Sequence, residues 1–88
     1  ELSEKLSESP VNDLTKSMAI NDRLLYMNEL FGKSMNALDE NLRQFNRYSG
    51  MEEAKPRLIE LAKRYDWTDE ERMDTAKSFI KLVRRRYL

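Results

Sequence analysis

Three groups of residues in this 88-residue sequence have the types and spacing that could do chemistry. Lys77, Lys81, Arg84 and Arg85 recur at helical spacing near the C-terminus, a row of cations able to contact phosphates on nucleic acid or anionic lipid. Asn21-Asp22-Arg23 precedes an apolar run, where the free N–H groups of a helix start would form an anion site. The pairs Glu52-Glu53 and Glu70-Glu71 are carboxylates of the kind that serve as general acid and base in glycoside hydrolysis.

Each group also has a plainer explanation. Cations in a last helical turn and acids in a first turn complement the macrodipole. Neighbouring carboxylates do not face each other on a helix, because only residues three or four apart meet. Asn21 suits an N-cap, with Ile20 and Leu25 placed as a hydrophobic staple around it. Asp22 would repel an anion held at the same helix start. Arg23 is therefore expected to be structural, paired with Glu29 or with a carboxylate on another helix. Such a pair fixes register more than it adds stability.

Composition removes most catalytic chemistry. There is no histidine and no cysteine, so Ser-His and Cys-His nucleophiles, disulfides and thiolate metal sites are excluded. No calcium-loop spacing occurs, and neither a metal nor a cofactor is expected. Sixteen basic residues balance sixteen acidic ones, so no global field draws nucleic acid or an anionic membrane. No run approaches the ~18 apolar residues of a membrane span. A cytoplasmic protein is the expectation. The chain opens on Glu1 rather than methionine, and it is read as a fragment or a processed product.

The elements that must position these groups are all helical. Residues 1–19 form an arm that Pro10 breaks, with Leu2 and Leu6 before it and Val11, Leu14 and Met18 after it at helical spacing. The Asn12–Met18 stretch is the part expected to dock. Residues 20–88 form the bundle domain. A first helix follows Asn21, carries Leu24, Met27, Leu30 and Phe31 inward, and stops at Gly32. Ser34 caps a second, with Met35, Leu38, Leu42 and Phe45 on one face. Ser49 and Glu52 have capping-box spacing before a third, which buries Met51, Ala54, Leu58, Leu61, Ala62 and Tyr65. Pro56 is tolerable there if the helix begins near Met51 or Glu52. Thr68 and Glu71 make a second capping box behind Trp67. The fourth helix then carries Met73, Ala76, Ile80, Val83 and Tyr87 as its stripe. The fold class is all-α: a compact bundle of four main helices with a partly ordered arm.

Several of these stretches carry a resemblance: Leu2-Ser3-Glu4-Lys5-Leu6, Asp13-Leu14, Ile20-Asn21-Asp22-Arg23, Glu29-Leu30-Phe31-Gly32, Met51-Glu52-Glu53-Ala54, Tyr65-Asp66-Trp67 and Val83 to Tyr87. In these the chain resembles a group of small, uncharacterised bacterial helical domains, over nearly its whole length. The pairing "INDR…ELFG" is the most specific part. The resemblance implies a helical module placed C-terminal to a variable region, and it brings no activity with it. Gly32-Lys33-Ser34 and Pro56 depart from the group's pattern, and both departures concern helix starts.

More apolar surface remains than four short helices cover. Leu25 and Tyr26 on the first helix, with Phe79 and Leu82 on the fourth, are expected to stay partly exposed as a self-association surface. The function expected is a non-enzymatic protein-interaction or assembly module, able to homodimerise. The alternative is a phosphate-binding adaptor that uses Lys77, Lys81, Arg84 and Arg85.

Overall fold

A computed structural model describes residues 9–88. A 3-10 turn at Leu14–Lys16 is followed by four α-helices: α1 (Ile20–Leu30), α2 (Met35–Arg47), α3 (Met51–Arg64) and α4 (Glu70–Arg85). No strand occurs among the described residues, and the fold is an all-α bundle. Leu2 and Leu6 lie outside the described residues. No helix among those described is long and apolar enough to cross a membrane.

α2 forms where its sequence demands. Ser34 caps it by accepting the Ala37 N–H at 3.1 Å, and Leu38, Leu42 and Phe45 bury one stripe. α3 buries Ala54, Leu58 and Leu61 on a matching face. Its start is shifted one residue from the expected capping box: Gly50 is the N-cap, and Glu53, not Glu52, accepts the Ser49 N–H at 2.8 Å. Pro56 is the sixth residue of α3 and exposed, so the bond an N–H there would send to the Glu52 carbonyl is missing. Pro56→Ala is expected to stabilise the protein by about 1–2 kcal/mol, less than the interior cost of proline because the site is near the helix start. A urea midpoint that does not rise in this variant would contradict that placement.

α1 and α4 differ from the expected pattern. α1 begins at Ile20 behind Ala19, with no side-chain cap, and Asn21 is an exposed helical residue. Ile20 and Leu25 are also exposed, so no staple forms. The buried side of α1 carries Tyr26 and Leu30, flanked by half-buried Arg23 and Met27, whereas Leu24 points outward. The physical reason lies in the run Leu24-Leu25-Tyr26-Met27. Apolar residues fall on every side of α1, so periodicity does not fix its rotation. Two polar tips do: Arg23 reaches Asp39 on α2, and the Tyr26 hydroxyl meets Ser78 Oγ on α4 at 2.9 Å.

α4 starts at Asp69, which accepts the Glu71 N–H at 2.8 Å, one residue after the expected Thr68 cap. Asp66 is left-handed (φ 58°) and closes α3, while the Trp67 N–H returns to the Ala62 carbonyl at 2.9 Å. That closure turns Trp67 inward and leaves Thr68 exposed. Phe79 and Leu82, expected partly exposed, are buried with Ala76 and Val83, while Met73 is an exposed residue. Phe79 is fully buried at the meeting point of four rings. Its centroid lies 5.2 Å from Tyr26, 5.5 Å from Phe31, 5.7 Å from Trp67 and 6.3 Å from Phe45, all edge to face. Those aromatics arrive from three other parts of the chain, which a stripe read along α4 alone does not register.

The arm from Val11 onward belongs to the same core. Val11 and Leu14 are buried, and Met18 packs against them from the rim. The Val11 N–H donates to the Arg85 carbonyl at 2.9 Å, so the arm also satisfies an end group of α4.

Candidate functional site

The anion-site reading of Asn21-Asp22-Arg23 has a geometry to meet, and the triplet does not converge. Asn21 and Asp22 are exposed, whereas Arg23 turns inward. Its guanidinium pairs with Asp39, donates to the Thr15 carbonyl at 3.2 Å and touches Met35 Sδ at 3.7 Å. One side chain thus ties the 3-10 turn, α1 and α2 together. The pairing with a carboxylate on another helix is met, and the one with Glu29 is not. Glu29 instead accepts the Thr75 hydroxyl at 2.9 Å, linking α1 to α4.

Trp67 is structural as well. Its Nε1–H donates at 2.9 Å to the Leu30 carbonyl, one of the end groups of α1 that no helical N–H reaches. Thr68 has no such role.

The four cations divide into two environments. Lys77, Lys81 and Arg84 are exposed, and none is ion-paired among the described residues. Arg85 is half-buried and donates from Nε to the Ser9 carbonyl at 2.8 Å, so it holds the arm. Lys81 and Arg85 share a shallow groove of about 280 Å³ with Ser17, Asp22, Tyr26 and Ser78. The hydroxyls of Tyr26 and Ser78 are bonded to each other there. Asp22 sets a negative charge against the two positive ones, which disfavours a simple anion. Among the described residues no group of three acidic, His or Cys side chains could hold a metal. Glu52, Glu53, Glu70 and Glu71 are all exposed in the first turns of α3 and α4.

Two polar clusters were not legible as sites in the sequence. Asn46 Nδ2 donates to Asp13 at 2.8 Å, while its Oδ1 accepts the Leu14 N–H at 2.9 Å and Arg86 Nε at 3.3 Å. Asp13 also accepts the Thr15 hydroxyl and N–H, at 2.7 and 3.0 Å. The Thr15 hydroxyl first, then Asn46, hold its carboxyl below the ordinary value of 3.8. On the other side of α2, buried Asn41 accepts Arg57 Nε at 2.9 Å and donates to the Ala37 carbonyl at 2.8 Å. An asparagine in a polar sequence run gives no sign of which it will be, because the partners that distinguish them, Asp13, Leu14 and Arg86 for Asn46 and Arg57 for Asn41, are more than ten residues away.

Tyr87 donates its hydroxyl to the Phe45 carbonyl. Burial pushes its pKa up to about 12. A raised phenol pKa means that the folded state holds the proton more tightly. Its contribution is therefore complete below pH 10 and is lost as pH rises from 10 toward 12. Ultraviolet titration is expected to show one tyrosine ionising last, and Tyr87→Phe to remove that step. Simultaneous ionisation of all tyrosines would contradict the bond.

What remains at the surface is the outer side of α1. Ile20 is 67% exposed, Leu24 41% and Leu25 42%, and Asn21 and Asn28 lie exposed between them. None of these five residues carries a charge, in a chain whose residues are 36% charged. Leu25 was the one member of the expected self-association set that the structure leaves exposed. Tyr26, Phe79 and Leu82 are buried because the core needs them. Leu24 takes their place, and consecutive leucines on an all-round apolar helix were the available signal for it.

No curated protein and no solved structure matches this chain. A family model described as a domain of unknown function (DUF8457) matches residues 15–88, and the chain belongs to that family.

Proposed function

We propose that this chain is a non-enzymatic interaction module that docks a protein partner through the outer face of α1. The observation that carries this reading is the uncharged, exposed patch of Ile20, Asn21, Leu24, Leu25 and Asn28, which gathers three of the large apolar side chains left exposed among the described residues. An apolar patch rimmed by polar residues is the usual anatomy of a docking surface. The absence of His and Cys from the sequence and the shallowness of the groove weigh against catalysis. The test is p-benzoylphenylalanine in place of Leu24, photolysed in the cells that make the protein. One discrete protein adduct is expected, and none from the same probe in place of Ile59, an exposed residue of α3. Absence of an adduct at position 24 would sink the reading.

A second reading has one observation in its favour: Lys77, Lys81 and Arg84 form an exposed row without ion pairs among the described residues. Such a row suits a phosphate-bearing ligand. Retention of nucleic acid or anionic vesicles at low salt, lost as salt rises, is the result it requires. The neutral chain and the Asp22 carboxylate beside Lys81 favour the first reading.

A further inference from the structure

The groove over the seam between α1 and α4 holds opposite charges that do not pair with each other. Tyr26 bonds to Ser78 and Glu29 to Thr75, so the two helices run antiparallel there. The same register sets Asp22, one turn before Tyr26, level with Leu82 and between the levels of Lys81 and Arg85. Asp22, Lys81 and Arg85 all line the groove, yet among the described residues Asp22 forms no ion pair with either cation. The α1 wall is therefore negative and the α4 wall positive. Arg85 is also held in place: Nε donates to the Ser9 carbonyl at 2.8 Å, which leaves its two terminal nitrogens for a ligand.

We infer that this groove binds a free α-amino acid with an apolar side chain. The ammonium sits at Asp22 and the carboxylate between Lys81 and Arg85. Tyr26 and Ser78 share one hydrogen bond, so one of their two hydroxyl hydrogens is left to donate to that carboxylate. Met18 and Leu82, which also line the groove, give the side chain an apolar surface. A simple anion meets the Asp22 charge, and a simple cation meets two positive ones. A ligand carrying both signs a few bonds apart matches both walls. The volume of about 280 Å³ falls just below the roughly 300–1,000 Å³ of pockets for drug-sized ligands, which suits an amino acid. The ion pairs are exposed to water, so binding is weak, with a Kd of about 1–10 mM. The groove shares no residue with the α1 patch, and this inference stands or falls apart from the docking reading.

Nitrogen–proton correlation NMR of the intact chain at about pH 6.5, where an α-amino group is protonated, tests this with three probes. L-leucine carries both charges, N-acetyl-L-leucine the carboxylate alone and L-leucinamide the ammonium alone. L-leucine is expected to shift the amide signals of Asp22, Ser78, Lys81 and Arg85 and to saturate in the low millimolar range. Each of the other two is expected to bind at least about five-fold more weakly, having lost one ion pair and kept one repulsion. Lys81→Gln is expected to weaken L-leucine about two- to five-fold. Asp22→Asn is expected to weaken L-leucine by a similar factor and to tighten N-acetyl-L-leucine, because the opposing carboxylate is gone. Both positions are exposed, so circular dichroism is expected to match the unmodified chain in either variant. The absence of a saturating shift at these positions up to about 50 mM L-leucine overturns the proposal. So does equal binding of N-acetyl-L-leucine, which makes the groove a simple anion site, or equal binding of L-leucinamide. An Asp22→Asn chain that binds L-leucine as tightly as the unmodified one overturns it too.

Discussion

Phe79→Ala is expected to remove a large part of the protein's stability at 25 °C. Truncating a buried phenylalanine costs about 3–5 kcal/mol through lost transfer energy and the cavity left behind. Phe79 also makes four edge-to-face ring contacts, each worth about 0.5–1.5 kcal/mol beyond area burial. A chain of this size has only about 4–13 kcal/mol of total stability, so the loss takes a large part of it. Phe79→Leu keeps most of the volume and is expected to lose about 1–2 kcal/mol, folding with a lowered urea midpoint. The pair separates the core position from the surface one that the α4 stripe suggests. A cost below about 1 kcal/mol for Phe79→Ala would return the residue to the surface, since exposed substitutions stay within about 0.5 kcal/mol.

That contrast shows where the sequence is informative. α2 and α3 were legible because each has one apolar stripe and a polar remainder, so rotation about the axis is fixed locally. α1 has no polar side of comparable breadth. Its rotation is set by where Arg23 and Tyr26 find Asp39, Thr15 and Ser78, and these lie 8 to 52 residues away. α4 has apolar residues enough for two overlapping stripes, and the ring cluster around Phe79 selects between them.

The same limit governs the candidate site. Cations at the end of α4 are visible in sequence because exposure is the ordinary state of Lys and Arg. Which apolar residues remain outside is a by-product of packing. Leu25 was found and Leu24 was missed, although the two are adjacent. Asn21, Leu24, Leu25 and Asn28 form one uncharged patch only once the rotation of α1 places all four on the same exposed side.

At Asn46 one amide bonds the arm to both α2 and the end of α4, and its replacement is expected to show a pH signature. Asn46→Ala removes the partners of Asp13, the Leu14 N–H and Arg86 Nε, and leaves a backbone donor short of an acceptor. About 2–3 kcal/mol is expected, the sum of a lost bond and an unsatisfied group. Asn46→Asp keeps the acceptor for Leu14 and Arg86 but sets a second carboxylate against Asp13, at a contact that is now 2.8 Å. Two carboxylates so close do not both ionise readily, so one of them takes up a proton above the ordinary range. In the unmodified chain the Asp13 carboxyl is held low, so its contribution is complete above pH 3.8 and fades as pH falls through the lowered value. The variant has the opposite sign: its raised carboxyl favours the folded state as pH falls, and its deficit relative to the unmodified chain shrinks between about pH 7 and pH 5. Urea denaturation at the two pH values reads this directly. An Asn46→Asp deficit that is equal at both would mean that the two side chains do not meet.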